Sequence, residues 1–89
     1  MNDSALTNLG GITSRWANSG RIAYIDATGP DVTSATTVTF DAFDDLCGRV
    51  AGGLQARGLE PGNRVGILAA NSVDYGACYL GIPRAAMVT

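Results

Sequence analysis

The sequence predicts an α/β chain in which a β-hairpin is followed by a β-α-β-α run. Three observations carry that reading. Two alternating, β-branched stretches, Arg21 to Asp26 and Thr36 to Phe40, flank a connector rich in Gly, Pro, Ser and Thr. Residues 41–57 repeat apolar side chains at helical spacing. Arg64 to Ala70 is then a nearly unbroken apolar run, leading through Asn71-Ser72 into a second helical stretch.

Residues 1–20 are weakly patterned. Leu6, Leu9, Ile12 and Trp16 recur at spacings of three and four, which predicts a short amphipathic helix. Gly10 and Gly11 interrupt it, each costing about 1 kcal/mol relative to alanine, so a helical turn or two around Ile12 to Asn18 is expected. Trp16 reads as a packing anchor. In the next segment Ile22, Tyr24 and Asp26 alternate with Ala23 and Ile25, as in a short strand. It is expected to pair with Thr36 to Phe40 across a long loop.

Asp41 is expected to open the first long helix by accepting from first-turn backbone N–H groups, with Asp44 completing a box. Phe43, Leu46, Cys47, Val50 and Leu54 form its apolar stripe. Asp45 and Arg49 are placed for an i, i+4 ion pair. Gly48, Gly52 and Gly53 imply close packing against a neighbour. Gly58 ends the helix as a residue of positive φ.

Leu59 to Asn63 is a Pro-Gly turn. The run from Arg64 to Ala70 lacks alternation, as a parallel strand covered on both faces does. Asn71 or Ser72 caps the second helix. Its expected face is Tyr75, Cys78, Tyr79 and Ile82, and the further apolar residues Ala77 and Leu80 predict burial on most sides. Pro83 removes an N–H and crowds the preceding turn, so the helix is expected to end or kink by Ile82. Met87-Val88-Thr89 reads as the start of a further strand.

At 89 residues the chain amounts to one small domain at most, and its 46% hydrophobic and 16% charged content excludes a disordered protein. All six basic residues are scattered arginines and the net charge is −2, so no nucleic-acid footprint exists. The N-terminus has no cationic segment followed by an apolar one, which predicts a cytoplasmic protein without a signal peptide or transmembrane segment. The Asn2-Asp3-Ser4 sequon then carries no consequence. Cys47 and Cys78 both fall on apolar helix faces and read as buried structural thiols rather than a disulfide.

The chain contains no histidine, which excludes imidazole bases, His metal sites and Ser-His or Cys-His pairs within it. No GxSxG, Walker or GxGxxG pattern occurs. Gly58 and Gly62 precede their strand, whereas a phosphate cradle places glycines between strand and helix. Asn71-Ser72 does lie at such a junction, but without glycine or a basic side chain it reads as a cap. Asp41, Asp44, Asp45 and Asp74 sit in first turns, where carboxylates favour the helix dipole. No catalytic, cofactor-binding or metal-ligating residue is therefore assigned.

From Thr37 to Ala85 the chain resembles the opening of the AMP-forming adenylating enzymes, which include acyl- and aryl-CoA synthetases, adenylation domains and luciferases. Thr39-Phe40-Asp41-Ala42-Phe43 resembles their early Thr-aromatic segment. Gly53-Leu54 with Gly58-Leu59-Glu60-Pro61-Gly62-Asn63-Arg64-Val65 is similar to their Pro-Gly-Asp-Arg-Val turn, the most specific piece. Asn71-Ser72 and Tyr79-Leu80-Gly81-Ile82 with Arg84-Ala85 match their next turn and helix. Pro83 replaces a helix former and Ala86 replaces the usual glycine.

The resemblance implies that residues 21–89 are the first part of the large N-terminal AMP-binding domain, with 1–20 a lead-in carrying a short helix. It implies an ATP-dependent carboxylate–CoA ligase for fatty or aryl acids, using ATP, Mg2+ and CoA. The family's phosphate loop, nucleotide-binding residues and lysine have no matching position here, so these residues are expected to be inactive and to bind none of those cofactors alone. They are also expected to need the rest of their domain, or to self-associate. The alternative is a complete small α/β interaction module with no enzymatic activity.

Overall fold

The computed structural model describes residues 8–27 and 29–89. Leu6 and the Asn2 sequon lie outside the described residues. The chain is mixed α/β, with an antiparallel hairpin followed by two packed helices. A 3₁₀ helix, Leu9–Trp16, precedes them. It starts before the expected turn and runs through both glycines. Gly10 is required there, because a Cβ would collide with the Arg84 backbone and the Leu80 carbonyl.

Strands β1 (Ile22–Asp26) and β2 (Thr36–Thr39) pair with Tyr24 opposite Val38 and Asp26 opposite Thr36. An irregularity between Ile22 and Tyr24 breaks the simple alternation. Ala23 and Tyr24 are both half-buried, while Ile22 and Ile25 stay exposed. In the connecting loop the Asp31 carboxylate accepts from Thr33 N at 2.9 Å and Ser34 N at 3.2 Å. Bonds from the Thr33 side chain and backbone hold its carboxyl below the usual range, against a small opposing effect of desolvation.

Helix α1 spans Phe40–Ala56. Its cap is Thr39, whose hydroxyl accepts from Ala42 N at 3.2 Å, and not Asp41. The β-strand leads straight into the helix, so Thr39 is the residue still extended when the first turn forms. Asp41 and Asp44 instead face the N-terminal segment. The Asp45–Arg49 ion pair forms at 3.0 Å, exposed and worth about 0.3–0.5 kcal/mol. Gly58 and Gly62 adopt the expected positive φ of 84° and 87°.

Helix α2 spans Val73–Arg84, capped by Ser72, whose hydroxyl accepts from Tyr75 N at 3.1 Å. Its buried residues are Gly76, Ala77, Gly81 and Ile82. The expected face is thereby corrected: Tyr79 is 53% exposed and Cys78 is half-buried. Small residues take the interface because they let the two helices approach closely. An added Cβ on Gly81 would lie 2.6 Å from Val50 Cβ. Gly52 and Gly53, by contrast, have nothing within 4 Å of an added Cβ.

Pro83 does not end the helix. The carbonyl its missing N–H would have engaged is that of Tyr79, and the Thr89 hydroxyl donates to it at 3.5 Å. Ala86 then turns with φ 62°, the conformation that glycine adopts without strain. Ala86→Gly is expected to stabilise the chain by about 1 kcal/mol, raising the melting temperature by roughly 4–8 °C in a thermal scan.

The segment from 64 to 70 forms a single parallel rung among the described residues, Arg64 with Val88. Val65 N donates to Val88 O and Val88 N to Asn63 O, both at 2.8 Å. A parallel pair this short has little stability without neighbours on either side. One face is covered, where Val65 and Ile67 pack on Ala51, Ile82, Ala85 and Met87. Leu68 on the other is fully exposed, which corrects the expectation of cover on both faces. A second cluster, Phe43, Cys47 and Ala77, lies between the hairpin and the helices.

Candidate functional site

Among the described residues, two features concentrate polar or aromatic chemistry: a part-buried ionic node at the end of α2 and a cleft at its start.

Arg84 follows Pro83 at the end of a mostly apolar helix and turns its guanidinium inward. Nε donates to Gly10 O at 2.8 Å, and Nη1 to Asp44 O at 3.0 Å. Nη2 donates to Thr13 Oγ1 at 2.8 Å and to Asp44 Oδ1 at 2.6 Å. Thr13 and Ser14 hydroxyls donate to the same Asp44 oxygen at 2.7 and 3.2 Å. The two charged side chains are 20% and 25% exposed. Desolvation pushes the Asp44 carboxyl upward. Bonds from Thr13 and Arg84, the Arg84 charge and Ser14 outweigh that, so it sits below the usual carboxylate range.

Cys47 lies one helical turn from Asp44 and is fully buried. Burial pushes its thiol up. The Arg84 charge and a Thr13 hydrogen bond pull the other way without overcoming it. It is a protonated packing thiol, not an activated nucleophile.

The cleft, about 330 Å³, lies between the end of β1 and the start of α2, bordered by Tyr24, Asp26, Asn71, Ser72 and Tyr75. A second hollow of about 340 Å³ adjoins it at Tyr24, Tyr75, Tyr79 and Leu80. All three tyrosines of the chain thus border one region. The Tyr24 ring tilts against Phe43 at 4.8 Å between centroids. Its hydroxyl occupies the space a Gly76 side chain would need.

These residues do not fit a nucleotide phosphate. The helix N-terminus is occupied by Ser72 itself, Asp74 sits in its first turn, and Asp26 rather than an arginine borders the cleft. Among the described residues no three His, Cys, Asp or Glu side chains converge.

Sequence reasoning placed Asp44 in a capping box and gave Arg84 only a place in a motif, so it missed their pairing.

Fold and site together define an α/β packing unit: a hairpin and two closely apposed helices tied by an arginine–aspartate node. Residues 14–89 match the AMP-binding enzyme family, and the chain belongs to it. No curated protein and no solved structure matches the chain. The adenylate-forming class implied by the resemblance from Thr37 to Ala85 is therefore supported, and the family match extends beyond that stretch at both ends. Among the described residues no helix is long and apolar enough to cross a membrane.

Proposed function

We propose that these residues form the opening scaffold of the large domain of a cytoplasmic, ATP-dependent carboxylate–CoA ligase for fatty or aryl acids. The family match over residues 14–89 carries the reading. Residues 1–20 serve as its lead-in and 21–89 as its first structural unit. The complete enzyme joins an acid to AMP with release of pyrophosphate, and the CoA thiol then displaces AMP. ATP and Mg2+ supply the activation chemistry elsewhere in that enzyme. The role of the residues here is support: α1, α2 and the segment after Arg64 present a surface on which further strands of the domain pack. Leu68, Ile25 and Tyr79, all exposed, favour that role.

The 89-residue chain alone is expected to release no pyrophosphate above background from ATP with CoA and a panel of aliphatic and aromatic acids. Turnover by the purified chain contradicts the assignment of these residues as scaffold.

A further inference from the structure

We propose that residues 8–18 form a strap, held shut by the Asp44–Arg84 node, that detaches as a unit while the paired helices stay folded.

The strap is attached by polar contacts and by partial burial of Ile12 and Trp16, with no large apolar side chain fully hidden. Its buried residues are Gly10 and Thr13, a backbone and a hydroxyl. Leu9 is 65% exposed. Its 3₁₀ form has poorer hydrogen-bond geometry than an α-helix and little stability of its own. The helices beneath hide Phe43, Cys47, Ala51, Ala77 and Ile82. Regions with few buried apolar contacts open first.

The attachments converge. Gly10 O, Thr13 and Ser14 all bond to Arg84 or Asp44, and the Asn8 amide donates to Arg84 O at 3.4 Å. At the far end Asn18 N donates to the Asp41 carboxylate at 2.6 Å, and Trp16 stacks on Phe40 with centroids 5.5 Å apart. Loss of the Asp44 charge weakens several of these contacts at once. The charged or titratable groups facing Asp44 are Arg84 from α2 and Cys47 from its own helix, and the strap presents hydroxyls there.

The Asp44 carboxyl is held lower in the folded chain than in the unfolded one. Its contribution is therefore present above the ordinary carboxylate value near 4 and lost as pH falls through its lower folded value. Opening also removes Thr13 from the Cys47 thiol.

Three signals separate the strap from the helices. Trp16 is the single tryptophan and reports the strap. Cys47 alkylation, in a Cys78→Ser background, reports cover over the thiol. Far-ultraviolet circular dichroism reports α1 and α2. In Asp44→Asn at neutral pH, Trp16 emission is expected to shift to the red and Cys47 to be alkylated about tenfold faster or more, with helical signal retained. Thr13→Val, which leaves the Asp44–Arg84 pair intact, is expected to give the same pattern more weakly. In the unsubstituted chain, acid titration is expected to move the Trp16 signal before the helical signal. Unchanged Trp16 and Cys47 signals in Asp44→Asn overturn the proposal. Should Asp44→Asn unfold entirely, Thr13→Val and the acid titration decide. Coincident loss of all three signals in both also overturns it.

Discussion

Phe43→Ala is expected to lower the unfolding free energy by about 3–5 kcal/mol, read as a fall in the urea midpoint with little change in slope. Phe43 is 2% exposed and stands where three elements meet. Tyr24 from β1 lies on one side, Ala77 and Leu80 from α2 on another, and Cys47 of its own helix below. Truncation leaves a cavity that none of them can fill without giving up another contact. Stabilities run at about 0.05–0.15 kcal/mol per residue, so a chain of this size loses about a fifth of its total or more. A loss under about 1 kcal/mol contradicts a single core shared by hairpin and helices.

The second large effect comes from adding a methyl group. Gly81→Ala gains about 1 kcal/mol of helix propensity, yet overpacking of about 1–3 kcal/mol is expected to leave the chain destabilised by up to about 2 kcal/mol net. The new Cβ would meet Val50 Cβ at 2.6 Å and Cys47 O at 3.0 Å, and the second of these is backbone that cannot rotate away. The helices must separate, which loosens Ala77 and Ile82 together. Gly52→Ala is the matched control, since its added Cβ meets nothing within 4 Å, and it is expected to stabilise by up to about 1 kcal/mol. Paired thermal melts distinguish the two. Equal effects of one sign contradict a close approach confined to α2.

What the sequence made legible was local. Alternation located both strands, the stripe from Phe43 to Leu54 located α1, and Gly58 and Ser72 marked a helix end and start. Each depends on residues within about one helical turn or one strand length of each other. The errors share the opposite property. Asp41 and Asp44 were placed at a cap because nothing nearby competes for them, whereas their partners are Asn18, Thr13, Ser14 and Arg84. Pro83 was read as a stop because the Thr89 hydroxyl that engages the Tyr79 carbonyl lies outside the helix. The buried face of α2 was placed on its large residues because hydrophobicity counts atoms on the helix itself, while the packing turns on atoms Gly76 and Gly81 lack. For the same reason the arginine–aspartate node was invisible. A side chain 40 positions away leaves no periodic trace.

The single parallel rung between Arg64 and Val88 has a kinetic consequence. Joining those residues closes the whole excursion through α2, and loop closure is an entropic cost that one rung of backbone bonding scarcely offsets. The pairing forms late, after α2 has docked on α1 and brought Met87 to the cluster that holds Val65. Its amides are then the quickest of the folded core to trade hydrogen for deuterium, because the last contact made is the first to be released.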